Sequence, residues 1–388
     1  MSVESSHGTV LFVSPSPGLV TPASGEGTRL KHLSQELAEK WDVLALVPES
    51  AADTRPEWVR RQYTYKQWSL PFLTDLNPSF VRVLTRVLRR ERVDVVHLSH
   101  GVCVARVLSA LVRTGTVVNH ASQNVEAEHA QDFVDPELPV YKRLLGPRLI
   151  PVIERATVRC ADCVTTVSDA DRITLRERYG VDEARTRTIP TGTTVVDPSS
   201  LKSRDAVRDC YGLADGAVGV FHGSYAHPPN AEAVEWLVET VAPAVRERGV
   251  DVEFLLVGRG MPEVDDPDLR TAGFVDDLFS TLGAADFAVV PILHGGGTKT
   301  KIYDYLSIGL PVVSTATGVD GIDIEDGVHG VVTKGVNEAF VDGVVRLAED
   351  DELRGAFARN VRELATERTW TRSGKWLSSF YARLLETR

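Results

Sequence analysis

The feature that most constrains this chain is a rhythm of short, continuous runs of branched apolar residues, each followed by a helical pattern and arranged in two series. The first series falls at 10–13, 43–47, 93–98, 116–119 and 163–167. Strands that are apolar on both faces must be covered on both, and strands that alternate with helices pair in parallel, so the series predicts a helix-covered parallel sheet. The rhythm lapses in TIPTGTTVVDPSSLKSRDAVRD, where Pro, Gly, Ser and Thr cluster, and this places a linker near 196–203. It then resumes at 219–222, 252–257, 287–291 and 311–314, with an amphipathic segment over 231–247. At 388 residues the chain needs more than one core. The expected class is therefore α/β in two domains, 1–198 and 199–368, followed by an amphipathic helix over 369–388.

Charge and cysteine content narrow the partners. A formal charge of −11 argues against a nucleic-acid platform. Of Cys103, Cys160, Cys163 and Cys210, only Cys160 and Cys163 form a C-x-x-C, and no second Cys or His pair stands at zinc spacing, so no metal or redox role is expected. The opening MSVESSHGTVLFVSPSPG reads as a first strand rather than a secretion signal, and no window carries the roughly 18 apolar residues of a membrane span. A cytoplasmic protein is the expectation. One local exception to the acidic balance is NPSFVRVLTRVLRRERV, where Arg82, Arg86, Arg89 and Arg90 recur at helical spacing beside Val81, Leu84, Val87 and Leu88. A second basic segment, YKRLLGPRLIPVIERATVR, follows. Two readings stay open: peripheral attachment to an anionic inner membrane face, or a solvated helix face.

The stretch PILHGGGTKTKIYDYLSIGLPVVSTATG carries the most chemistry. An apolar strand ends in His294 and Gly295, Gly296 and Gly297, before a helix expected to begin near Thr298. Glycines admit a ligand close to the backbone, and free amides at a helix start attract phosphate. Thr298 is placed to cap that helix or meet a phosphate oxygen, Lys299 and Lys301 to supply positive charge to a diphosphate, and Asp304 to accept paired hydrogen bonds from ribose hydroxyls. The spacing of a P-loop is absent, and no G-x-S-x-G elbow accompanies the HGGG for a serine hydrolase.

This stretch resembles the donor-site signature of family-4 glycosyltransferases, the subgroup reading GGGT-[RK]-x-K followed by an acidic helix position and G-x-PVV. The resemblance implies a GT-B fold, two Rossmann-like domains facing across a cleft with a final helix crossing back to the first. Many members carry two glutamates seven residues apart; here the second position holds Asp304 and the first Gly296. Other matches follow in order. PSPGLVTPASGEGTRLKHLSQELAEKWDV resembles the glycine loop after the first strand, Gly25 and Gly27 flanking Glu26 ahead of a helix over 30–37. TVVNHASQNVEAEH matches with His120 beside the donor sugar and Asn124 and Glu126, like Glu26, on the acceptor side. VTTVSDADRITLRERYG and TIPTGTTV resemble the passage that ends the first domain, with Ser168, Asp169 and, where Asn is usual, Thr191.

In the second domain FHGSYAHPPNAEAVEWLV places Gly223 and Ser224 at a strand end, and Asn230 stands nearest the position of a diphosphate-binding Lys in many relatives. The charge must then come from Arg259 in FLLVGRG, or from Lys299 and Lys301. TAGFVDDL resembles the nucleobase-reading loop through Phe274 and Val275, and Trp370 opens the segment that crosses back. The implied activity is retaining transfer of a hexose-type sugar from a nucleotide diphosphate donor to a glycan, lipid-linked or other hydroxyl acceptor. It proceeds by front-face attack with domain closure, without a metal or other cofactor. His120, Lys301 and Asp304 are its expected catalytic residues. The rival is a nucleotide-sugar-binding scaffold without turnover, suggested by Gly296 and Thr191.

Overall fold

The computed structural model describes residues 7–387 except 15, 21–24, 69–76, 101, 113, 129 and 131–139. Part of the loop 14–24, the opening residues 1–6, and the side chains at 140–145 of the second basic segment lie outside the described residues. The chain forms two compact units, Met1–Gly192 with Gly296–Thr298 and Trp370–Arg388, and Thr193–Gly295 with Lys299–Thr369.

Among the described residues the first unit holds a seven-stranded sheet of β1 (Thr9–Val13), β2 (Asp42–Pro48), β3 (Arg61–Tyr65), β4 (Val95–Leu98), β5 (Val117–Ala121), β6 (Cys163–Thr166) and β7 (Thr186–Thr188). Their order is β3-β2-β1-β4-β5-β6-β7, all parallel. The second unit has six: β8 (Ala217–His222), β9 (Val252–Val257), β10 (Leu269–Gly273), β11 (Phe287–Val290), β12 (Val312–Thr315) and β13 (Gly330–Thr333). Their order is β10-β9-β8-β11-β12-β13, again all parallel. The two-sheet α/β class expected from the apolar runs is the architecture found.

Each sheet reverses direction once, between β1 and β4 and between β8 and β11. At such a reversal the loops leaving the two strands turn toward opposite faces and open a crevice at their carboxyl ends. The strands β3, β7, β10 and β13 were not among the expected runs, and all four are sheet edges. An edge strand pairs on one side only and keeps part of its surface in water, so its sequence need not be apolar.

Alternation along β1 sends Val10 and Phe12 to one face and Leu11 and Val13 to the other. The first face packs on Leu30, Leu33 and Leu37 of the helix Gly25–Leu37, and on Trp370, Leu377, Phe380 and Tyr381 of the helix Trp370–Glu386. The second packs on Phe80, Leu84, Val87 and Leu88 of the helix Pro78–Arg90. Trp370–Glu386 is also tied by hydrogen bonds, Trp41 Nε1 to Ser378 Oγ (2.8 Å) and Ser373 Oγ to the Pro190 carbonyl (2.8 Å). Its deepest tie is to His97, whose Nδ1 lies 2.6 Å from Tyr381 Oη and 3.3 Å from Asn119 Nδ2. Because the amide can only donate, Nδ1 accepts and the ring proton sits on Nε2. Asn119 continues the chain to Thr165 Oγ1 at 3.0 Å and accepts from Cys163 Sγ at 3.3 Å, so Cys163 serves packing and a weak hydrogen bond.

Candidate active site

In the second unit the loop after β8 enters the helix Pro228–Trp236, and the loop after β11 enters the helix Thr300–Ile308. Both helices therefore begin at the β8/β11 reversal. Gly223, the first residue beyond β8, lets two side chains close in. A Cβ there would stand 2.6 Å from Asn230 Nδ2 and 3.2 Å from Lys301 Nζ. Asn230 Nδ2 donates to the Ser224 carbonyl (2.9 Å), while its Oδ1 accepts from Lys301 Nζ (2.7 Å). Asn230 thus brings Lys301 to the position its own side chain leaves uncharged. The ammonium also sits 3.9 Å from the centroid of the Phe221 ring.

Lys301 is buried, at 8% exposure, and burial, reinforced by the charge of Lys299, holds its pKa well below the usual lysine range, with Asp304 pulling the other way. Lys299 Nζ donates to the Gly295 carbonyl at 2.7 Å. His227, the residue before Pro228, is a basic group that sequence reasoning missed; burial first, then Lys301 and Lys299, lower its pKa. Three basic groups therefore press on one another where two helix N-termini add their positive dipole ends. An arriving anion relieves that repulsion. Such a cluster is chemically suited to an anion of the phosphate or diphosphate kind.

The helix start needs correction. It begins at Thr300, and Lys299 rather than Thr298 occupies the N-cap, with no side-chain capping bond. The cause is local: Lys299 is extended, at φ −79° and ψ 103°, so helical backbone starts only at Thr300, after a loop in which Gly295 (φ 100°) and Gly297 (φ 64°) are left-handed. Arg259 and Phe274, expected in separate roles, are brought together, with Arg259 Cζ 5.3 Å from the Phe274 ring centroid. That ring is exposed, whereas Val275 packs on the core. Asp304 lies beside His222, Oδ2 to Nε2 at 3.1 Å.

In the first unit Gly25, Glu26 and Gly27 already belong to the helix Gly25–Leu37, not to a loop ahead of it. Glu26 in that first turn complements the helix dipole and accepts a hydrogen bond from Ser99 Oγ, just beyond β4. His120, on β5, is buried and bonds the Ser99 backbone. Burial first, then the charge of His100, push its pKa down to about 3, so its ring is neutral near pH 7. Asn124 follows on the loop after β5; its Oδ1 is buried without a hydrogen-bond partner. The Glu126 amide donates to Glu154 Oε1 (2.7 Å), and that buried carboxylate also accepts from the Ala127 amide (3.2 Å) and Tyr179 Oη (2.5 Å). Glu154, unforeseen, is the anchor of this loop, and no local pattern marks it. Ser168 caps the helix Asp169–Tyr179 through the Asp171 amide (3.0 Å), and Thr191 Oγ1 accepts from Arg29 at 3.3 Å.

Residues 23–195 fit the model described as Glycosyltransferase Family 4, and residues 216–350 the one described as Glycosyl transferases group 1. The chain belongs to this family of GT-B glycosyltransferases. It is 26% identical over 257 residues to an alpha-D-kanosaminyltransferase of Streptomyces kanamyceticus, covering 62% of this chain and 65%, just under two thirds, of that protein. It is 25% identical over 312 residues to a D-inositol 3-phosphate glycosyltransferase of Actinosynnema mirum, covering 74% of this chain and 72% of that one. The fold is shared with HepE of Anabaena, solved in complex with UDP-glucose, at a TM-score of 0.69 and 16% identity, covering 98% of this chain and 100% of that one.

Proposed function

We propose that the protein is a retaining, metal-independent glycosyltransferase that moves a hexose-type sugar from a nucleotide diphosphate donor to a hydroxyl acceptor. The observation that carries this reading is the convergence of Lys301, Lys299 and His227 on the β8/β11 reversal, where two helices begin. The nucleotide sugar bound by HepE supports the donor class. In the reaction the acceptor oxygen bonds to the anomeric carbon as the bond to the diphosphate breaks. The acceptor's proton passes to the departing phosphate oxygen on the same face. Negative charge grows on the diphosphate, and Lys301, Lys299, the helix amides and Arg259 stabilise it. The Asp304 carboxylate takes the ribose hydroxyls, and the Phe274–Val275 backbone takes the base. In the first unit the neutral ring of His120 offers a hydrogen bond rather than a charge, and Glu26, Asn124 and Glu126 serve the acceptor.

Calorimetric titration with UDP and GDP, with and without chelator, followed by a product assay with the matching nucleotide sugars, tests the reading. Micromolar binding that survives chelator, together with turnover, is expected. Binding with no turnover on any acceptor would make the protein a nucleotide-sugar-binding scaffold, and no binding would remove the diphosphate site.

The acceptor reading extends to a membrane. The helices Pro78–Arg90, Val102–Val112 and Val140–Cys160 pack in succession. Arg82, Arg86, Arg89 and Arg90 are exposed, but Leu84, Val87 and Leu88 are core, so the first of these helices offers charge alone. Exposed apolar side chains come instead from Val107, Leu111, Leu149, Val152 and Ile153, with Arg155 and Arg159 exposed beside them. No described helix is long and apolar enough to cross a bilayer. Peripheral docking on anionic lipid fits this face. The protein should sediment with phosphatidylglycerol vesicles but not phosphatidylcholine vesicles, and Val152→Asp with Ile153→Asp should abolish the difference. A double variant that still sediments with phosphatidylglycerol vesicles to the wild-type extent would reduce these helices to solvated faces.

A further inference from the structure

The helix Thr300–Ile308 carries Lys301 and Asp304 three residues apart, a spacing at which opposite charges ordinarily pair on one helix face. They do not pair here. Lys301 Nζ is taken by Asn230 Oδ1 at 2.7 Å, and Asp304 Oδ2 by His222 Nε2 at 3.1 Å. His222 is the last residue of β8 and is buried. Its ring stands edge-on to the Tyr305 ring, centroids 4.9 Å apart at 87°, and its backbone N–H donates to Tyr305 Oη at 3.1 Å. Strand and ring together leave the imidazole one orientation. Its Nδ1 is enclosed without a hydrogen-bond partner, whereas Nε2 meets a carboxylate oxygen, so the proton belongs on Nε2.

We propose that His222 is a positioning residue of the donor site: it draws the Asp304 carboxylate away from Lys301, so that one helix turn presents a free carboxylate oxygen to a ribose and an ammonium not ion-paired with that carboxylate to a diphosphate. The inference rests on the donor-site reading of Asp304 and Lys301 given above. Aspartate has one methylene less than glutamate and correspondingly less reach. A fixed donor at the strand end supplies the orientation that a longer side chain would find for itself. Without His222, Asp304 is free to turn along its own helix to Lys301, and the two charges then cancel where the ligand needs both. His222 touches neither the donor's sugar nor its phosphates in this account; it acts through Asp304.

The test is calorimetry with UDP, GDP and inorganic pyrophosphate on the full-length protein. His222→Leu should weaken the nucleotide that the wild type prefers by at least about tenfold, and should also weaken pyrophosphate, since Asp304 then neutralises Lys301. His222→Gln, whose side-chain amide is a donor near the place of Nε2, should retain most of the affinity for both. In an Asp304→Asn background, which cannot form the ion pair, His222→Leu should have little further effect on pyrophosphate. Wild-type affinity in His222→Leu, or a pyrophosphate loss that persists undiminished in the Asp304→Asn background, overturns the positioning role while leaving the donor site standing. A wild type that binds neither nucleotide nor pyrophosphate overturns the donor-site reading and this inference with it.

Discussion

Lys301→Met is expected to lower the rate of sugar transfer by about two to three orders of magnitude, the usual cost of removing one preorganised group from a developing negative charge. Methionine keeps the stem that fills the space beside Phe221 and removes only the ammonium. The side chain is buried and its charged form is disfavoured by that burial, so the substitution should leave the thermal midpoint of the second unit unchanged or raise it. Loss of activity with retained stability separates a functional amine from a structural one. The measurement is steady-state kcat/KM with the nucleotide sugar identified by titration, beside a melting curve of the same sample. Retention of more than about a tenth of the wild-type value would mean that Lys301 is not the main diphosphate contact.

The second large effect is one of pH on the first unit. His97 and His120 are both buried, and both have pKa values pushed down to about 3, burial being the first cause in each and neighbouring positive charge the next. An unfolded histidine titrates near pH 6.5, so below that value the unfolded chain binds protons that the folded unit refuses. Stability contributed by these neutral rings is therefore complete above about pH 6.5 and is lost as the pH falls toward 3, at up to roughly 1.4 kcal/mol per pH unit for each ring. Together they are expected to unfold the first unit in mild acid. Five of the six tryptophans, all but Trp236, lie in this unit, so urea titrations followed by fluorescence in a Trp236→Phe background report it alone. His97→Gln should remove about half of the pH slope. A midpoint that is flat between pH 6.5 and 4.5 would place these rings in contact with water.

The interior strands were legible in the sequence because burial on both faces leaves no choice but a continuous apolar run, as in Val252–Val257. The edge strands were not, since Arg61–Tyr65 and Thr186–Thr188 need only present a backbone to one neighbour. The glycine loop and its lysines were legible for a different reason. A backbone held at positive φ restricts the residue at that position to glycine, and that restriction is written locally. The partners of those residues are written nowhere in one dimension. Asn230 as the acceptor for Lys301, His222 as the donor to Asp304 and Glu154 under the loop after β5 depend on distances across a folded sheet. Asn230 carries no charge of its own, yet its Oδ1 holds the ammonium of Lys301, which only the folded sheet reveals.

The hydrogen bond from Tyr381 to His97 sets an order of events during synthesis. The second unit, Thr193–Gly295 with Lys299–Thr369, lies between the two segments that build most of the first. A ribosome adding about 5–20 residues per second needs on the order of ten to forty seconds to travel from Gly192 to the end of the helix Trp370–Glu386. For that interval the apolar face of Val10 and Phe12 has the helix Gly25–Leu37 but not Trp370, Leu377, Phe380 and Tyr381, and His97 Nδ1 lacks its phenol. The unit begun first is thus the one completed last, and during that wait a nascent-chain chaperone has a surface to hold while the second unit is still being made.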